Sequence, residues 1–105
     1  MAYEVYIEDK DLERLYTGQK TKKLDLPPKV VEKFFATIQK LESATGIQDL
    51  LADKGMRFEK LKQRENEYSI RLDHKYRLEM TIHWEDEKMR QGKIYLNRIS
   101  NHYGD

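Results

Sequence analysis

The spacing of the apolar residues changes at Gly55, and this change most constrains the fold. Before Gly55, apolar side chains recur every three or four residues, as they do on one face of a helix. After it they alternate at every second residue, as in strands that bury one face. The pattern predicts an α+β fold in which helices come first and most of the sheet follows.

The first half of the chain is predicted to hold one short strand and two or three helices. YEVYI at 3–7 combines aromatic and β-branched residues, which favour a strand. DKDLERLY has helical spacing and is followed by Gly18, a natural C-terminal cap. A longer helix is predicted to open at Pro27 and Pro28, because proline lacks the N–H that stays unpaired there. IQDLLADKG adds one or two turns between Gly46 and Gly55.

The second half is predicted to form three strands. EYSIRLD and YRLEMTIHW alternate between apolar and polar residues, and the short DHK between them favours a hairpin. KIYLNRIS follows a polar turn and gives the last strand. We therefore expect one domain over residues 1–105: a mostly antiparallel sheet whose N-terminal strand and helices leave one polar face open.

Composition excludes several classes of function. The chain has no cysteine, and its three histidines lack the spacing of metal ligands, so we predict no metal and no cofactor. No apolar run reaches membrane-spanning length and the first residues lack the features of a secretory signal, which predicts a cytoplasmic protein that contacts no membrane.

Charge is distributed unevenly along the chain. The net charge of +1 is a poor argument for nucleic-acid binding. Residues 57–77, however, hold seven basic side chains against four acidic ones: Arg57, Lys60, Lys62, Arg64, Arg71, Lys75 and Arg77 against Glu59, Glu65, Glu67 and Asp73. If this segment forms one surface, that surface attracts phosphate; a self-paired, solvated sheet face is the more common meaning of such a pattern.

Two arginines and one glutamate of this segment are candidates for chemistry. Arg71 and Arg77 lie on the polar face of the predicted hairpin, where two guanidinium groups can converge on one phosphate. Ion pairs with Asp73 and Glu79 are the simpler explanation of the same residues. Glu59 lies among cations that favour its ionised form, the state a general base needs, although a solvated surface glutamate is the more common meaning of such a pattern.

His102 and Tyr103 follow the last predicted strand. If that strand pairs beside the strand of Arg77, they lie at the rim of the open face, where histidine can pass a proton and tyrosine can stack on a base. A loosely packed tail is the alternative. With Glu59 and Arg77 they complete a set sufficient for RNA cleavage without a metal ion. No role is predicted for His74 or His83.

Four stretches of the chain resemble the RelE/ParE superfamily of bacterial type II toxins, and its HigB-like branch most closely. They are LYTGQKTKKL, IQDLLADKGMRFEKLK, YSIRLDHKYRLEM and IYLNRISNHY, in that order. The resemblance implies a RelE-like fold and a toxin that cleaves messenger RNA in the ribosomal A site. By position it implies catalytic roles for Glu59, Arg77, His102 and Tyr103, and RNA contacts from Arg57, Lys60, Lys62, Arg64 and Arg71.

The resemblance also implies partners and leaves other functions open. The partners are the ribosome and its messenger, and an antitoxin of the HigA-like helix-turn-helix type, through which alone the toxin meets operator DNA. A ParE-like toxin that inhibits DNA gyrase by binding, without catalysis, is an alternative, as is a decayed module that only binds its antitoxin. The four catalytic candidates together favour the nuclease.

Overall fold

The computed structural model describes residues 3–19, 25–62 and 64–101. In chain order the elements are β1 (Tyr3–Ile7), α1 (Lys10–Tyr16), α2 (Pro28–Ser43), α3 (Ile47–Ala52), a 3-10 turn (Lys54–Met56), β2 (Glu59–Lys60), β3 (Glu67–Arg71), β4 (Tyr76–Trp84) and β5 (Gly92–Asn101). The predicted α+β class is confirmed. None of the helices within these residues has the length and apolar character of a membrane span.

The helices begin and end where local chemistry dictates. The Asp9 carboxylate accepts the N–H groups of Asp11 and Leu12, each at 3.0 Å, and so caps α1. Gly18 lies just beyond the end of α1 with φ 81°, a conformation that glycine adopts without strain. Pro27 precedes α2 and Pro28 is its first residue, as predicted.

The five strands form one sheet in the order β1-β5-β4-β3-β2. β1 pairs with β5 in parallel, and the three other pairs are antiparallel. The predicted β3–β4 hairpin is present, and β5 lies beside β4 as the placement of the candidate site requires. β4, which contains Arg77, is thus the central strand.

The helices and one face of the sheet enclose the core. The most deeply buried side chains come from α2 and from alternate positions of the central strands: Phe34, Leu41, Ile70, Leu78, Met80, Ile82, Ile94 and Leu96. The intervening positions of the same strands carry polar groups to the other, open face. Successive side chains of β4 therefore point alternately into the core and onto the face that carries the candidate site.

A β-bulge in β5 changes which side chains reach the open face. Glu79 lies opposite Arg98, whereas the next residue, Met80, lies opposite Leu96, so Asn97 is the extra residue. The bulge turns Arg98 toward the open face, where it contacts Glu79. Strict alternation along β5 would have placed Arg98 on the core side.

Gly92 lies at a close approach between strands, which generates a stability prediction. A Cβ at this position would lie 2.9 Å from the carbonyl oxygen of His83 and 3.3 Å from the Trp84 ring. We expect Gly92→Ala to lower the free energy of unfolding by about 1–3 kcal/mol in urea, since backbone must shift to make room. Gly55→Ala is the control, because its Cβ meets nothing closer than 3.4 Å. Equal stability of the two variants would contradict this packing.

Candidate active site

Two rows of side chains cross the open face of the sheet. In one row Arg71 of β3 and Ser100 of β5 flank Arg77 of β4. In the adjacent row, Ser69 lies between Glu59 and Glu79. Rows on one face are two residues apart, which is about 7 Å. The predicted base and the predicted phosphate-binding arginine therefore lie in neighbouring rows.

Arg77 is a largely enclosed cation of this surface. Its side chain is 15% exposed. Nη2 donates to the carbonyl oxygen of Arg57 at 3.2 Å and lies 3.5 Å from Oε1 of Glu59. Nε is buried and has no hydrogen-bond partner among the residues that the structure describes. Arg57 has φ 44°, a left-handed conformation rare for a side chain of this size.

Arg71 and Arg77 are direct cross-strand neighbours. Like charges in this relation destabilise a sheet. The Nε of Arg71 donates to the carbonyl oxygen of Asp73 at 3.1 Å. The Asp73 carboxylate instead accepts the backbone N–H groups of Lys75 and Tyr76 in the hairpin turn. Asp73 and Glu79 are thus engaged elsewhere, and the ion pair that Arg77 forms is with Glu59.

Glu59 faces the open surface. Its side chain is 55% exposed, which leaves a carboxylate oxygen accessible to a substrate hydroxyl. Phe58, rather than Leu61, is the buried residue of this segment, and it stacks on Tyr68 with ring centroids 5.1 Å apart. Because Phe58 packs into the core, Glu59 next to it points outward without any bulge in β2.

A buried carboxylate that sequence reasoning did not assign lies beside Arg77 on the same strand. Glu79 accepts hydrogen bonds from Nε and Nη2 of Arg98 at 2.9 and 2.8 Å, and Nη1 of Arg64 lies 3.5 Å away. Burial by itself would raise the pKa of Glu79, but hydrogen bonds from Ser100 and Arg98 and the charges of Arg98 and Arg64 outweigh it and lower the pKa. In the sequence, the available signal for a partner of Glu79 was Arg98, in the motif RIS of β5.

The remaining predicted RNA contacts lie along the edge of the sheet. Lys60, Lys62 and Arg64 line an open groove of about 470 Å³ together with Leu61 and Glu65. Lys60 and Lys62 are exposed, whereas Arg64 also approaches Glu67 at 3.6 Å. The structure thus places Arg57, Arg71 and Arg77 in the sheet face and the two lysines at its rim.

His102 and Tyr103 lie outside the described residues. The requirement for their predicted placement, a last strand beside β4, is met up to Asn101. In the part of the chain with described coordinates, no three or more histidine, aspartate or glutamate side chains cluster as a metal site would need.

Comparisons with known proteins agree on one fold family. A family model described as the RelE-like toxin of the type II toxin-antitoxin system HigB matches residues 5–98. The solved YoeB/ParE toxin from Agrobacterium tumefaciens is similar in structure, with a TM-score of 0.53 and 14% identity over 98% of this chain and 100% of that chain. At that identity the likeness shows the fold alone. No curated protein sequence matches the chain.

The charge network of Glu79 generates a pH-dependent prediction. The pKa of Glu79 in the folded state lies below its ordinary value of 4.5. The ionised carboxylate therefore stabilises the fold above about pH 4.5, and this stability is lost as pH falls through the folded pKa. At pH 7 we expect Glu79→Gln to lower the free energy of unfolding by about 1–3 kcal/mol, and the difference from the unaltered protein to shrink below pH 4.

Urea unfolding at pH 7, 5, 4 and 3 measures this difference. Glu32→Gln, at an exposed position of α2, is the control and should change stability by less than about 0.5 kcal/mol at every pH. A Glu79→Gln deficit that stays constant down to pH 3 would show that lost packing, rather than lost charge, is responsible.

Proposed function

We propose an enzymatic function for this chain, which belongs to the HigB-like family of RelE-like toxins of type II toxin-antitoxin systems. The family predicted from sequence is confirmed, and with it the general role of a toxin. Within that role we propose a ribosome-dependent endoribonuclease that cleaves messenger RNA in the A site by attack of a 2′-hydroxyl on the adjacent phosphate. Its action on translating ribosomes would place it in the cytoplasm.

The adjacency of Arg71 and Arg77 is the observation that carries the proposal. Two guanidinium groups directly opposite each other repel, which favours an anion at this point in addition to Glu59, whose carboxylate lies 3.5 Å from Arg77. A phosphodiester is such an anion, and planar forks bind its oxygens in pairs.

Glu59 is placed to act on the nucleotide that Arg77 holds. Its Oε1 lies 3.5 Å from Nη2 of Arg77, so a phosphate on the arginine brings the neighbouring 2′-hydroxyl toward the carboxylate. Glu59 would take the hydroxyl proton, the 2′-oxygen would attack phosphorus, and Arg77 would stabilise the charge that develops. On resemblance alone, His102 would protonate the leaving 5′-oxygen and Tyr103 would orient the substrate. The scheme uses side chains only.

The basic rim suits docking on ribosomal RNA. Lys60 and Lys62 are exposed, and together with Arg64 they line the groove at the edge of the sheet. Contacts of this kind add affinity without sequence preference. For the partner that holds the toxin inactive, we propose an antitoxin of the HigA-like helix-turn-helix type, which would also bring the toxin to operator DNA.

Primer extension on translating ribosomes tests the proposal. Purified protein is added to ribosomes programmed with a defined messenger, and new 5′ ends are mapped. We expect cuts within the A-site codon, a loss of about 10²–10⁴-fold in rate for Glu59→Ala, and about 10²–10³-fold for Arg77→Ala. Glu32→Ala, which replaces an exposed glutamate of α2, should cleave at the normal rate.

The binding alternative gives the opposite result. A ParE-like toxin would leave the messenger intact, inhibit supercoiling by purified gyrase, and arrest growth equally well with alanine at Glu59 or Arg77. A module that only binds its antitoxin would cause no arrest at all when induced alone. Either result would overturn the nuclease.

A further inference from the structure

A cluster of rings lies on the open face at the end away from the arginines. Tyr6 of β1 stacks on Tyr95 of β5, with centroids 5.3 Å apart and planes at 20°. His83 of β4 meets Tyr95 edge-on, at 5.5 Å and 75°. We call these three residues the aromatic corner. Tyr6 is 39% exposed and His83 is also exposed, so the rings cover no core and are available to a ligand.

The aromatic corner borders a shallow, open groove with a polar lining. Its volume is about 320 Å³, and its lining residues are Glu8, Thr81, His83, Tyr95 and Asn97. An amide N–H of Asn97, the bulge residue, donates to the Thr81 hydroxyl at 2.9 Å, which fixes the amide plane. Small-ligand sites have this size and this combination of flat rings and a few polar groups.

The aromatic corner is continuous with the proposed catalytic face. Thr81 lies four residues along β4 from Arg77 on the same face, which is about 13 Å. Lys93 lies between His83 and Glu4 in the sheet. A single strand of RNA whose phosphate binds Arg77 can therefore lay a base, a few nucleotides away, on these rings.

We propose that the aromatic corner binds one unstacked RNA base, and that Glu8 selects a base with an amino group. That the aromatic corner is a substrate subsite rests on the nuclease function proposed above, whereas the binding of a base there does not. A base can stack on the exposed ring of Tyr6 or His83, which Tyr95 holds in place by a stacked contact on one side and an edge-on contact on the other. The carboxylate of Glu8 accepts from the N4 amino group of cytosine or the N6 group of adenine and opposes the O4 carbonyl of uracil.

The charges nearby favour a base over a phosphate at this end. Glu4 accepts the hydroxyl hydrogen of Tyr6, and the charge of Glu85 also acts on Tyr6. Lys93 lies among these groups, but with Glu8 the carboxylates outnumber it, so they would disfavour a phosphate more than the neutral edge of a base. The strand's phosphates would instead bind at the arginine end. A basic peptide is the other ligand that acidic and aromatic groups could take, and the test below distinguishes it.

Equilibrium binding of RNA that cannot be cleaved tests the proposal. Fluorescein-labelled 2′-O-methyl hexacytidylate and hexauridylate lack the attacking hydroxyl, so anisotropy reports binding alone. We expect the cytidine hexamer to bind about tenfold more tightly than the uridine hexamer, and Glu8→Gln to abolish this preference because the amide can both donate and accept. Tyr95→Ala should weaken both hexamers about tenfold, and Tyr95→Phe should bind normally.

Salt dependence separates base stacking from phosphate contacts. Tyr95→Ala should leave the slope of log Kd against log salt unchanged, whereas Arg71→Ala should reduce it by about 0.7. His83→Ala, at an exposed position, should weaken both hexamers and gives a second ring variant with little risk to folding. Tyr16→Ala is the control, since Tyr16 is an exposed tyrosine that packs on Phe35 of α2.

Four outcomes would overturn the subsite. The first two are normal RNA binding by Tyr95→Ala and His83→Ala, and a loss of binding in Tyr16→Ala as large as that in Tyr95→Ala. The third is equal affinity for the cytidine and uridine hexamers. The fourth is a hexa-arginine peptide that binds in a Tyr95-dependent manner while the hexamers do not. If the messenger stays intact on ribosomes but the Tyr95-dependent preference for cytidine persists, the nuclease fails and the base site stands.

Discussion

The central position of β4 is the constraint on which the rest of the structure depends. Leu78, Met80 and Ile82 are fully buried, and the residues between them form the middle of the open face. A slip of one residue would exchange the two sets and place Arg77 in the core. The burial that stabilises the fold thereby also determines which cations reach the open face. Arg77 needs no separate device to face outward.

The open face bears costs that the core must offset. Arg71 and Arg77 lie opposite each other, the Ser69 hydroxyl and Nε of Arg77 are buried without partners among the described residues, and Arg57 has a left-handed backbone. Such features cluster where a surface is shaped for a ligand rather than for stability. Glu79 offsets part of this cost, because its carboxylate holds Arg98 and Arg64 in place beside the neighbouring Arg71 and Arg77.

Local patterns predicted the elements well and their mutual contacts less well. YRLEMTIHW alternates so regularly that the bounds of β4 are those predicted. The strand within RFEKLK was harder to predict, because it has only two residues and because Phe58, not Leu61, enters the core. The pairing of Arg98 with Glu79 depends on the bulge at Asn97, and a bulge is a property of the register between two strands. No periodicity within β5 could reveal it.

A net charge of +1 and an RNA substrate are compatible because the charges of this chain are separated in space. Arg71 and Arg77 lie at one end of the open face with Lys60 at its rim, whereas Glu4, Glu8 and Glu85, with Lys93 among them, lie around the far end. The field that a phosphate meets depends on the charges within about 10 Å, not on their sum over the chain. A face divided in this way would orient a single strand, with its phosphates attracted to the arginine end and a neutral base favoured at the acidic, aromatic end.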